Sequence, residues 1–245
     1  MRWPLFVLLG AVGLPGSTNA EPFRDALADN PYLLNEELRM LLHDEPDILA
    51  SALAHGADLR NQAVWSPLQN EIETDLSRIA ELSDDLFSQT HQGFGAQESA
   101  RITLFTQLAC AKCARAEAEL RELADQHPDL RVELRSRSTA LPDRLSYVIA
   151  RDLGAQACAR FRDAVNSSAN TDEAHLMALI DQQGLDAQTL RRSAESPETM
   201  DALKAQVRMF NTLGLDTAPS YVMPRMLIRG HMPSVVLARY LARRP

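Results

Sequence analysis

Cys110 and Cys113 are the residues of this 245-residue chain whose type and spacing point most directly to chemistry. Two thiols so placed can close a small, reducible disulfide. Ile102-Thr103-Leu104-Phe105 precedes them, and Ala114-Arg115-Ala116-Glu117-Ala118-Glu119-Leu120 follows. A β-branched, apolar run ahead of a block of helix formers predicts strand, tight turn and helix. Cys110 then falls at or just outside the helix N-terminus, with Cys113 one turn inside. Free amides and the helix dipole favour an anion at that end, so the outer sulfur is stabilised as a thiolate. The chemistry is thiol–disulfide exchange.

On this reading Cys110 is the attacking thiolate, and the buried Cys113 expels substrate from a mixed disulfide. A helix terminus contributes about 0.3–1 kcal/mol to a nearby anion, up to about 2 kcal/mol when partly buried. At about 1.4 kcal/mol per pH unit, the dipole alone lowers the Cys110 thiol by roughly one pH unit. Lys112 supports the thiolate through its ammonium, a long and solvated group worth a screened fraction of a kcal/mol. Stabilising the thiolate favours the reduced form and makes the disulfide more oxidising. Zinc does not suit the pair, because no second CxxC or paired histidines stand in register with it.

The start of the chain bears on where this chemistry happens. Arg2 is a short positive region, Leu5 to Leu14 an apolar core, and Thr18-Asn19-Ala20 a small-residue cleavage site before Glu21. That pattern predicts a signal peptide over residues 1–20, too short for a span of about 18 or more apolar residues. The mature chain is expected to be soluble and exported, periplasmic in a Gram-negative host. Three cysteines in a chain of this length make no disulfide scaffold even in an oxidising compartment, and a chain this long can bury a core without staples. The 25 basic and 33 acidic side chains, a net charge of −8, favour solubility and argue against nucleic acid as a partner.

The elements that must position the pair divide near Gln92-Gly93-Phe94-Gly95. Residues 21–92 read as helical. Asn30-Pro31 begins a helix carrying Leu34, Leu38, Leu41 and Leu42, and Glu45-Pro46-Asp47 begins a second with Ile48, Leu49, Ala52 and Leu53. After Ser66-Pro67 a stripe of Leu68, Ile72, Leu76, Ile79, Leu82 and Leu86 lies on one helix face. That face either packs on the chain's own following domain or forms a self-associating seam. Downstream, strands are expected over 102–108 and 130–134, joined by a helix over 110–126 in a parallel crossover. A helical stretch from about 142 to 211 follows, with one helix closed by Gly184. Two short strands, 220–223 and 226–228, then precede a helix over 233–243.

Residues 98–245, in the order β-α-β, helical insert, β-β-α, resemble the DsbA-like branch of the thioredoxin superfamily. The resemblance rests on Ile102–Cys113, on Gly184-Leu185-Asp186 within the insert, on Leu213-Gly214-Leu215 ahead of Thr217-Ala218-Pro219-Ser220-Tyr221, and on Ile228-Arg229-Gly230. With its helical N-terminal extension the layout is similar to ScsC-like and Com1-like members. It implies an α/β thioredoxin fold with an inserted helical domain, preceded by an all-helical region. It also implies a cis Pro219 in a loop, Thr217-Ala218-Pro219, that binds substrate backbone beside the CxxC. Ala218 stands where Val or Thr is common in the family, and Thr106-Gln107-Leu108-Ala109 where an aromatic is usual.

The implied function is that of an exported thiol–disulfide oxidoreductase or isomerase. Its partners would be cysteine-bearing protein substrates, a membrane redox partner that recycles the pair, and further copies of the chain through residues 21–92. No cofactor or resident metal is expected. The alternatives are a non-catalytic chaperone-like binding module and a copper-handling protein using Cys110 and Cys113 as soft ligands. Of the remaining candidates, Cys158 is expected as a buried, inert thiol and His231 at the surface. Met223, Met226 and Met232 are expected in the core or at its rim.

Overall fold

The structure, a computed structural model, describes Glu36, Arg39, Met40, His43 and residues 59–97, 102–168 and 170–242, with backbone alone for 59–66 and 242. The expected signal peptide and most of the two expected short helices lie outside the described residues. The four isolated residues are helical, and Met40 reaches the edge of the core.

The sheet is built around β2 (Ile102–Thr106), whose five residues are all buried. Alternation assigns its side chains to two cores. Ile102 and Leu104 face one side, and Thr103 and Phe105 the other. The next strand, β3 (Arg131–Ser136), pairs parallel with β2 in the register Ile102↔Val132 to Thr106↔Ser136. Helix α3 (Ala111–Gln126) makes the crossover between them. Strand β4 (Ser220–Met223) pairs antiparallel on the far side of β2, and β5 (Met226–Arg229) folds back on it across Pro224-Arg225. Strand β2 is shorter than expected, because the chain turns after Thr106 to reach the cysteines, and β3 runs two residues further than expected.

A fifth strand was not anticipated. Phe94–Gly95, here β1, pairs antiparallel with Val132 and Arg131 at the sheet edge, giving the order β1-β3-β2-β4-β5. Gly95 sits at φ +87°, and a Cβ there would run into the Leu130 carbonyl oxygen. Only glycine suits that backbone and that approach. Two residues without apolar alternation carry no strand signal, so sequence showed the glycines and not the pairing.

Helix α1 (Leu59–Glu81) begins before Pro67 rather than after it and carries that proline, itself exposed, within its length. After Leu82 the chain continues as α2 (Ser83–Phe87). The expected apolar stripe docks on the chain's own sheet at its C-terminal end. There Ile79 and Leu86 are fully buried against Phe105, Phe210, Leu213, Val222 and Leu227. Arg229 of β5 pairs through both guanidinium nitrogens with Asp75, at 2.9 and 3.0 Å.

Five helices fill the span between β3 and β4: α4 (Leu141–Leu153), α5 (Ala155–Ser168), α6 (Glu173–Gln182), α7 (Ala187–Ala194) and α8 (Pro197–Thr212). Asp186 and Ser196 cap α7 and α8 by accepting the Thr189 and Thr199 amides. Helices α4 to α7 enclose a core of their own around Leu145, Ile149, Phe161, Val165, Leu176 and Ile180. Helix α8 instead returns to the sheet, where Phe210 meets Phe105 edge to face at 5.6 Å. The closing helix, α9 (Ser234–Ala242), covers the same sheet face as α3. Met223, Met226 and Met232 are buried in that core, as expected.

Candidate active site

Cys110 is the N-cap of α3. Its sulfur accepts the Cys113 amide at 3.2 Å, meeting one of the donors that a helix start leaves unpaired. The two cysteines are joined as a disulfide, with Cα atoms 5.2 Å apart. Cys110 is partly exposed and Cys113 fully buried, so a reagent from solution meets the outer sulfur. Lys112 is exposed on the first turn of the helix.

The other sequence-predicted residues lie across the sheet. Pairing of Phe105 with Ser220 places Pro219 opposite Thr106, at the end of β2 from which the chain turns to Cys110. The Ala218–Pro219 peptide is cis. Pro219 is buried, and its carbonyl accepts the Gly230 amide at 2.9 Å. Thr217 and Ala218 remain half-exposed, and the Thr217 carbonyl accepts the Ser220 hydroxyl at 2.8 Å.

Beneath the cysteines lies a polar layer that the sequence reading missed. One turn beyond Cys113, Glu117 is buried and accepts the Thr106 hydroxyl at 2.6 Å. Its carboxylate pairs with Arg162 of α5, Nε to Oε2 at 2.9 Å and a second contact from Nη2. Both are more than nine-tenths buried. Burial works against the Arg162 charge, yet the Glu117 carboxylate holds the guanidinium above its usual pKa. Arg162 also donates to the Ser146 hydroxyl at 2.9 Å, and that hydroxyl meets the Cys158 sulfur at 3.4 Å. Cys158 is buried, as expected, and burial pushes its thiol up, away from reactivity. The one readable sign of this layer was an arginine on an otherwise apolar stripe, Cys158, Phe161, Arg162, Val165.

His231 corrects an expectation. It is 4% exposed rather than at the surface, with Nε2 3.2 Å from Glu119 Oε2 of α3. Glu119 also accepts the Ser234 amide at 3.1 Å and the Arg115 Nε–H at 3.0 Å. Burial works to raise its carboxyl, but the bonds from His231 and Arg115 outweigh burial and hold it below the usual range. Glu119 thereby fastens α3 to the start of α9. A histidine between Gly230 and Met232 has no periodicity to betray its burial.

Among the described residues no three histidine, cysteine, aspartate or glutamate side chains are grouped to hold a metal, and no helix is long and apolar enough to cross a membrane. No protein-family model matches the chain, and no curated protein matches it. Solved structures do. A linker-deletion variant of Proteus mirabilis ScsC is 15% identical, the match covering 95% of this chain and 98% of that one with a TM-score of 0.59. BcfH of Salmonella enterica Typhimurium is 15% identical over 91% and 98%, with a TM-score of 0.62. The thiol-disulfide exchange protein alpha-DsbA2 of Wolbachia pipientis is 15% identical over 70% and 96%, with a TM-score of 0.61. At these identities the likeness carries the fold: the chain has the DsbA-like thioredoxin fold.

Proposed function

We propose that this chain is an exported thiol–disulfide oxidoreductase acting on cysteine-bearing proteins through Cys110 and Cys113, with Pro219, Thr217 and Ala218 forming the substrate-binding edge. The observation that carries this reading is the joint placement of the two sulfurs. The outer one is partly exposed at a helix mouth, accepts a backbone amide and is bonded to a fully buried second sulfur. The fold shared with a thiol-disulfide exchange protein supports it.

In the oxidising direction a substrate thiolate attacks Cys110 Sγ, and Cys113 leaves with the electron pair of the S–S bond. A second substrate thiolate then attacks the substrate sulfur of the mixed disulfide, and Cys110 leaves as thiolate. The substrate loses two electrons and two thiol protons, and the CxxC pair gains them as a dithiol. The half-exposed Thr217–Ala218 segment offers a substrate backbone an edge beside the reacting sulfur. A membrane redox partner that reoxidises or re-reduces the dithiol completes the cycle. The signal peptide expected over residues 1–20 would deliver the protein to the periplasm.

Insulin reduction and refolding of scrambled ribonuclease, on wild type and Cys110→Ala, test the proposal. The wild type is expected to turn over in at least one assay and the variant in neither. Activity that survives in Cys110→Ala would sink it.

A further inference from the structure

The turn that presents Cys110 belongs structurally to the helical insert rather than to the sheet that precedes it. The Leu108 side chain, 5% exposed, packs in the core of α4 to α7 with Leu145, Val148 and Phe161, not with its β2 neighbours. Its backbone amide donates to Asp143 Oδ1 of α4 at 3.2 Å. The next amide, Ala109, donates to Asn166 Oδ1 of α5 at 3.1 Å. Ala109 has φ +55°, a left-handed conformation that costs a non-glycine residue and persists only where neighbours hold it. Three anchors from the insert therefore grip the two residues directly before the nucleophile.

We propose that Asp143 and Asn166 are positioning residues for Cys110: through the Leu108 and Ala109 amides they hold the left-handed turn that sets the outer sulfur on the axis of α3. The inference rests on the thiol-exchange reading of Cys110 and specifies how the helical insert takes part. The sulfur benefits from the dipole and from the Cys113 amide only while it stays within the first turn, because that field falls off within one turn. Releasing either amide frees the turn to relax toward ordinary φ, and Cys110 loses that alignment.

Asp143 also makes the clamp responsive to acidity. The groups facing it are the Arg162 guanidinium from α5, itself paired with Glu117 of α3, the Ser136 hydroxyl at the end of β3, the Ser138 hydroxyl just after it, and the Leu108 amide. Burial is the strongest influence on its carboxyl and pushes it up to about 6, against Arg162 and those donors. Above that pH the ionised carboxylate is a charge-assisted acceptor for Leu108. Below it the acid is a weaker one.

The test is alkylation of the reduced full-length mature protein by iodoacetamide from pH 4 to 9, with thiolate absorbance as a second readout. Asn166→Ala, Asp143→Ala and the isosteric Asp143→Asn are compared with wild type. Loss of one anchoring hydrogen bond is expected to slow Cys110 alkylation at neutral pH about threefold to tenfold in both alanine variants. Asp143→Asn, which keeps an acceptor, restores at least part of that rate, but lacks the added step near pH 6 that the wild-type profile shows. Asn166 is near the surface, so Asn166→Ala reports even where Asp143→Ala fails to fold. Rates within twofold of wild type in folded Asn166→Ala and Asp143→Ala overturn the clamp. A wild-type thiol that titrates like free cysteine counts against the thiol-exchange reading instead. The clamp is judged by the difference between variant and wild type, not by the absolute value.

Discussion

At the scale of single residues, buried charge ties together the elements around the cysteines. Glu117 and Arg162 are each too deep to stand alone, and removing one partner of such a pair typically costs about 3–5 kcal/mol. Their mutual contact therefore locks α3 to the insert directly below the cysteines. Asp143, 3% exposed, carries a different cost. Its carboxyl, raised to about 6 by burial, binds its proton more readily in the folded protein than in the unfolded chain. Wild-type stability relative to Asp143→Asn is therefore expected to increase as pH falls from above 6 to below 4, by about 3 kcal/mol in all. Urea denaturation of both proteins at pH 7, 5 and 3.5 measures this. A constant difference across that range would show that Asp143 is not desolvated as its burial implies.

Among the elements, α1 and α2 do more than extend the chain. Ile79 and Leu86 supply the lid over Phe105 and Val222 on the sheet face opposite α3. The Thr103 hydroxyl reaches the Leu86 carbonyl at 2.6 Å, so side chain and backbone both tie this lid to β2. Ile79→Ala is expected to cost about 2–5 kcal/mol, the usual penalty for emptying a sealed core position. Leu68→Ala, at a half-buried site on the same helix, is expected to cost about 1 kcal/mol or less. Midpoints of urea unfolding distinguish the two. Equal small losses would mean that the helix end is not docked. The insert plays a matching part beside the cysteines. It contributes Leu145 and Phe161 around Leu108, and Arg162 beneath Glu117.

For the whole molecule, the proposed exchange is expected to turn toward disulfide shuffling if one particle carries more than one cysteine pair, and toward net oxidation if it carries one. The front of the apolar stripe on α1, Leu68, Ile72 and Leu76, is only half-buried by the described residues, which leaves it a candidate seam for a second copy. Light scattering on the mature chain, run with the scrambled-ribonuclease assay, checks the link. A mass above one chain is expected to accompany disulfide shuffling, and a single-chain mass to accompany net oxidation. An assembled particle that oxidises without shuffling would break the link.

Local signals made much of this protein legible before any fold was known. The CxxC pair at a strand-to-helix turn, the order of strands and helices, the buried Cys158 and the apolar face ending in Ile79 and Leu86 all follow from composition and period over a few residues. Those signals exist because a strand or helix must bury one face, and the repeat of that face is written in the chain. Tertiary structure alone decided the rest. Asp143, Asn166 and Glu117 follow no pattern that marks them as buried partners, and only packing of the insert brings Asp143 and Asn166 within hydrogen-bond reach of the turn and Arg162 within reach of Glu117. His231 reads as an ordinary polar residue until the loop after β5 folds it against Glu119. The two-residue strand at Phe94 is too short to alternate and exists because β3 has a free edge there. Short-range pattern shows which side chains want to be buried, and long-range contact determines which polar groups are buried with them.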